Sequence, residues 1–186
     1  MTHLAFELRT STPDSVAADL AERVEASGYR SLWVNHPPDE DGLGHLATMA
    51  AATTRITLGT ADGVLLGSVT PGLARAAAQD IRKQATAAGR PVPGVYVNVM
   101  AGVGREQISE LDGSAEFLAG LPAYAAHFSR TGVKPEQTWI AAGDLGELPG
   151  LLEPWRDTVD EVVLVPVSAA VPGPARDLVD AAIVAF

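Results

Sequence analysis

The sequence predicts an α/β fold with about five or six mainly parallel strands, and three observations predict it. Candidate strands and helices alternate along the chain, the pattern of βα units that build a parallel sheet. The strands read at 94–102 (GVYVNVMAG) and 160–167 (DEVVLVPV) are almost continuously apolar and rich in valine, as strands covered on both faces are. No linker, internal repeat or low-complexity tract interrupts the 186 residues, so they read as a single domain large enough to bury its own core.

The elements follow in order. His3–Leu8 (HLAFEL) is a short apolar strand. A helix follows, with Thr12 as its cap, Pro13 and Asp14 in its first turn, and Val16, Leu20 and Val24 on one stripe. Gly28 stops it. Ser31–Asn35 is the second strand, followed by the polar loop HPPDEDGLG. Leu43, Leu46, Met49 and Ala50 form the face of a helix that ends near Thr53. Thr70 and Pro71 open a helix through Leu73, Ala77, Ile81 and Ala88, closed by Gly89. SAEFLAGLPAYAAHFSRTG is helical, with Pro122 either starting a new helix or kinking this one. Leu145, Leu148, Leu152 and Trp155 suggest another helix, and Pro174–Val184 a last one.

Composition narrows the function. A net charge of −10 with no basic cluster argues against nucleic acid or an anionic membrane as partner. There is no cysteine, which excludes disulfide and thiolate chemistry, and four scattered histidines give no metal-binding spacing. No run of 18 or more apolar residues occurs, and the N-terminus lacks a basic region followed by an apolar one, so a cytoplasmic protein is expected.

One segment breaks the alternation. In RITLGTADGVLLG (55–67) two apolar runs, Ile56–Leu58 and Val64–Leu66, are separated by only five residues. Asp-Gly between apolar runs is a hairpin signal. Parallel neighbours, by contrast, need a crossover of a dozen or more residues.

Several segments resemble the bacterial luciferase-like family, and within it the branch that uses the deazaflavin F420. ASGYRSLWVNHPP resembles the end of that family's first helix and its second strand. GLGHLATMAAATTRITLGT resembles its second helix and third strand, and is the most specific match. The stretch from ADGVLLG to VYVNV resembles a much later part, the sixth strand, its helix and the seventh strand. FLAGLPAYAAHFSRTG and DEVVLVPV resemble the segments that follow. The resemblance implies a (β/α) barrel of the TIM type, truncated by an internal deletion near 60–61 that removes the fourth and fifth strands. The third and sixth strands then either merge into one bent strand, with Gly59 and Gly63 absorbing the bend, or turn back through Ala-Asp-Gly as a hairpin. A merged strand leaves the flanking βα units in register, whereas a hairpin would reverse one strand of a buried parallel sheet.

Candidate site residues follow from the mouth of such a barrel, where βα loops carry the chemistry. His36 follows the second strand; the resemblance implies contact with the cofactor and proton transfer, and the plain alternative is a solvated loop histidine beside two prolines. Asn35 stands where the family commonly has an acidic residue. Gly59 and Thr60 end the third strand, where the resemblance places them near the ring face; a glycine there also relieves strain at the junction. Ser68 and Thr70 precede a helix and either hold a phosphate or cap the helix. Asn98 is a polar residue in a valine-rich strand, facing a ligand or satisfied internally. Asp39, Glu40 and Asp41 read as a solvated loop, His45 and His127 as packing or surface residues, and GVG at Gly102–Gly104 is too short for a dinucleotide fingerprint.

Two functions follow. One is an F420- or FMN-dependent oxidoreductase or monooxygenase acting on a small organic substrate, with His36 at the ring. The other is a non-catalytic ligand-binding or assembly protein that has lost cofactor-binding strands. The helix at 43–53 has no charged residue besides His45, which with the resemblance implies a homodimer through that surface; the plain alternative is a monomer in which the rearranged sheet buries this helix itself.

Overall fold

Seven strand segments form one parallel sheet in the computed structural model, which describes residues 2–9, 11–34, 42–58, 63–168 and 172–185. The chain runs β1 (His3–Leu8), α1 (Asp14–Ala26), β2 (Ser31–Val34), α2 (Gly42–Ala52), β3 (Thr57–Leu58), β4 (Gly63–Gly67), α3 (Pro71–Ala87) and β5 (Gly94–Val103). It continues through α4 (Gly104–Gly120), α5 (Pro122–Thr131), β6 (Ile140–Ala142), α6 (Leu148–Leu152), β7 (Glu161–Pro166) and α7 (Pro172–Ala182). The sheet order is β3-β2-β1-β7-β5-β4, with β6 against the far end of β5. With β3 only two residues long and β6 three, five strands carry the sheet, and the parallel α/β architecture is the one the sequence predicts.

Every pairing is parallel, and this decides one of the two readings of the odd segment. β3 lies beside β2 and β4 beside β5, so both run in the same sense. A hairpin would reverse one of them and is excluded. A side-by-side parallel pair would need a return crossover, which four residues cannot supply. β4 therefore runs in the same sense as β3. The junction itself, residues 59–62, lies outside the described residues. Leu58 and Gly63 are at most about 18 Å apart by chain length, so the two ends of the sheet path come close and the sheet must curl. It is not closed: among the described residues no ladder joins β3 to β4.

Side chains divide between two faces of this curled sheet. Leu4, Phe6 and Leu8 of β1, Val95, Val97 and Val99 of β5, and Val162 and Leu164 of β7 are buried beneath the helices. Leu20 and Val24 of α1, Met49 of α2, Ala74 and Ala78 of α3 and Leu178 of α7 complete that core. The alternate positions of the strands (Ala5 and Glu7, Ser31 and Trp33, Tyr96, Asn98 and Met100, Glu161 and Val163) share the inner face.

Two helix starts, those of α3 and α5, follow the expected chemistry, and one departs from it. Thr70 caps α3, its hydroxyl accepting from the Leu73 N–H at 3.4 Å. Pro122 starts a new helix, and Gly132 ends it at φ 68°. The exception is α1, whose cap position is Pro13 and not Thr12. The sequence reading also missed β6 and most of α4. Three residues are too few to show a strand period, and α4 buries only Leu111 completely, so its first half carries too little apolar signal to be seen. The stripe from Leu145 to Trp155 breaks into short turns around Pro149 and Pro154, although Leu148, Leu152 and Trp155 are buried as expected.

Candidate functional site

A cavity of about 460 Å³ opens at the C-terminal ends of the strands. That volume lies within the range of small-molecule sites. Its floor is polar: Glu7 and Arg9 come from the end of β1 and Asn98 from β5. Its walls are mostly apolar: Leu65 and Leu66 of β4, Leu118 of α4, Tyr124 of α5, Trp139 before β6 and Val165 of β7. Gly67 and Ser68 form the rim where β4 ends. A methyl added at Gly67 would meet no atom within 4 Å, so the missing side chain leaves open space at the rim.

Glu7 is the chemically distinctive group. It sits in an otherwise apolar strand and is only 6% exposed. Asn98 Nδ2 donates to Glu7 Oε2 at 2.7 Å, reaching across β7. Burial raises its pKa from 4.5 to about 7; the Asn98 amide and the nearby Arg9 charge pull the other way and only partly offset burial. Near neutral pH this carboxyl therefore exchanges a proton readily, as an acid–base group in a cleft does. The sequence reading passed over Glu7. The signal was a single carboxylate in HLAFEL, but alternation alone does not tell which face of a strand meets a cavity.

At the opposite end of the inner face the polar side chains bond one another. The Ser31 hydroxyl donates to Glu161 Oε1, passing over the small Ala5 between them. Trp33 Nε1 donates to Ser31 Oγ at 2.7 Å, and Arg30 Nε lies 3.7 Å from Glu161 Oε2. The rings of Trp33 and Tyr96 meet at 5.5 Å. This network satisfies a carboxylate that is 3% exposed.

Of the residues singled out in the sequence, the structure brings Asn98 and Ser68 to this cavity. Asn35, His36, Gly59 and Thr60 lie outside the described residues. Ser68 adopts φ 53°, and its carbonyl oxygen accepts from His127 Nε2 at 2.8 Å. His127, read from the sequence as a packing or surface residue, thus ties α5 to the rim. The hydroxyl of Thr70 is used in capping. The two glycines of GVG have structural roles: Gly104 takes φ 83° where β5 turns into α4, and a methyl at Gly102 would crowd Leu111 and Val167 at 3.1 Å. Among the described residues no group of three or more His, Asp or Glu could hold a metal ion. No described helix is long and apolar enough to cross a membrane.

No protein-family model matches this chain, and no curated protein sequence does. Solved structures do match. The coenzyme F420-dependent tetrahydromethanopterin reductase from Methanopyrus kandleri superposes with a TM-score of 0.76 at 12% identity, covering 100% of this chain and 99% of that one. An F420-dependent secondary alcohol dehydrogenase, solved with an F420–acetone adduct, gives a TM-score of 0.61 at 12% identity, covering 98% of this chain and 99% of that one. The protein shares the fold of these two F420-dependent enzymes across essentially its whole length.

Proposed function

We propose that this protein is an F420-dependent oxidoreductase acting on a small organic substrate with an apolar body. The observation that carries the reading is the Glu7–Asn98 pair on the floor of the cavity at the C-terminal strand ends, the end where barrels of this type keep their chemistry. The residues present fit a flat ring with an anionic tail. Leu65 and Trp139 offer apolar walls, Gly67 leaves room at the rim, and Arg9 offers a charge for an anionic group. The two structures described above, both F420-dependent, support deazaflavin over FMN.

When bound, the deazaflavin would supply or accept a hydride. The part left to this chain is binding, orientation and the proton. Protonated Glu7 donates a hydrogen bond, or a proton, to an oxygen or nitrogen of the bound molecule, and Asn98 holds the carboxyl in place for it. The apolar side chains of the walls face a small organic substrate beside this carboxyl. His36, at the end of the second strand, is a second candidate for contact with the ring. The test is a titration of the purified protein with F420 and, separately, FMN, followed by absorbance and fluorescence. Saturable change with F420 supports the reading. Saturation with FMN alone would move it to flavin, and no change with either would leave the chain a non-catalytic relative.

We also propose that the protein is a homodimer through α2. Met49 of that helix is buried, while Ala47, Ala50 and Ala51 are exposed on a segment with no Asp, Glu, Lys or Arg.

A further inference from the structure

We propose that His127 is a positioning residue that clamps the turn between β4 and α3 and so sets the wall of the cavity. Ser68 is one of only two residues other than glycine that take a positive φ among the described residues, and it does so at the cavity rim. A serine at φ 53° is held by its surroundings and not by its own preference. Two constraints hold it. On one side, Thr70 fixes the start of α3 by capping the Leu73 N–H. On the other, His127 Nε2 lies 2.8 Å from the Ser68 carbonyl oxygen. A carbonyl only accepts, so the imidazole must carry its hydrogen on Nε2. The ring is itself steadied edge-on by Phe128 at 5.5 Å, and Phe128 is 8% exposed.

The bond joins two walls of the same cavity. Ser68 belongs to the rim at the end of β4, and α5, which carries His127, also presents Tyr124 to the cavity. Releasing the Ser68 carbonyl frees the turn to leave its strained conformation and changes the width of the site. The effect on ligand binding rests on the F420 reading above; the effect on the turn does not.

The test therefore uses two readouts on His127→Phe, His127→Gln and the double variant Ser68→Gly/His127→Phe. The first is hydrogen exchange, in the free protein, at the Leu73 and Ala74 amides, which Thr70 holds through its hydroxyl and its carbonyl. Loss of one hydrogen bond predicts roughly tenfold faster exchange in H127F, recovery in H127Q, and a smaller effect with glycine at 68, where positive φ is free of strain. The second is the F420 dissociation constant, expected to rise roughly tenfold in H127F and to recover in H127Q. Unchanged exchange in a folded H127F overturns the clamp. Altered exchange in a protein that binds no F420 upholds the clamp and overturns the F420 reading instead. A measurement on the unaltered protein needs no variant to fold: nitrogen NMR of His127 must show the Nε2–H tautomer with its ring proton protected, and an Nδ1–H tautomer overturns the proposal.

Discussion

Asn98 donates a 2.7 Å hydrogen bond to Glu7 from two strands away, over the intervening β7, and this joins the only candidate polar residue of the valine-rich strand to a carboxyl in the first strand. An internally satisfied asparagine and a ligand-facing one were alternatives in the sequence. In the structure Asn98 does both: its amide is bonded, and it lines the cavity.

Glu7 makes stability fall with rising pH. Its folded pKa, about 7, lies above the ordinary 4.5, so between those values the folded chain holds a proton that the unfolded chain has released. The stabilisation is fully present below pH 4.5 and is lost as pH rises through 7, by up to about 3 kcal/mol. Glu7→Gln removes a titrating group while keeping the partner of Asn98. Its stability curve, measured by denaturant unfolding from pH 4.5 to 8, should be flatter than that of the unaltered protein. An equal slope in both would mean that Glu7 does not titrate in that window.

Glu25 acts at the other end of the scale. From α1 its Oε1 accepts from three successive backbone N–H groups, Thr54 at 2.9 Å, Arg55 at 2.5 Å and Ile56 at 2.9 Å, and so holds the chain that leads into β3. Those bonds lower its pKa from 4.5 to about 2. Its stabilisation is present above pH 4.5 and is lost as pH falls toward 2. Glu25→Ala should destabilise the protein at neutral pH and reduce the further loss on acidification. Unchanged hydrogen exchange at the Thr54–Ile56 amides in that variant would contradict the role.

The site at the second strand end is tested through histidine. If His36 reaches the bound ring, His36→Ala weakens F420 binding or turnover at least several-fold, while His45→Ala leaves both near the unaltered values. Equal effects of the two substitutions would remove His36 from the site.

Assembly is tested on α2. Ala47→Glu or Ala51→Glu places a charge on the exposed apolar face of the helix. Sedimentation at low concentration should show a dimer for the unaltered chain and a monomer for either variant. A monomer in all three would show that α2 is simply a surface helix.

Much of the fold was legible because most elements carry strong local signals. Valine-rich β5 and β7, the capped and glycine-stopped α3, and Pro122 at the start of α5 could all be read directly. The direction of β4 could not. Gly-Thr-Ala-Asp-Gly permits both a bend and a hairpin, and only the pairing of Val64–Gly67 with Val95–Asn98 decides between them. The site was half legible. Asn98 and Ser68 stood out as polar residues near apolar strands. Glu7 and His127 did not, because their importance lies in long-range contacts, 91 residues away for Glu7 and 59 for His127.

The most direct test of the account is to fill the cavity. Gly67 lies on its rim, and an added side chain there starts in open space, so Gly67→Phe should fold with a melting temperature close to that of the unaltered protein. The account predicts that fluorescence titration with F420 gives saturable binding to the unaltered chain and binding weakened at least tenfold, or lost, in the variant. Undiminished F420 binding by a correctly folded Gly67→Phe would contradict the claim that this cavity is the cofactor site.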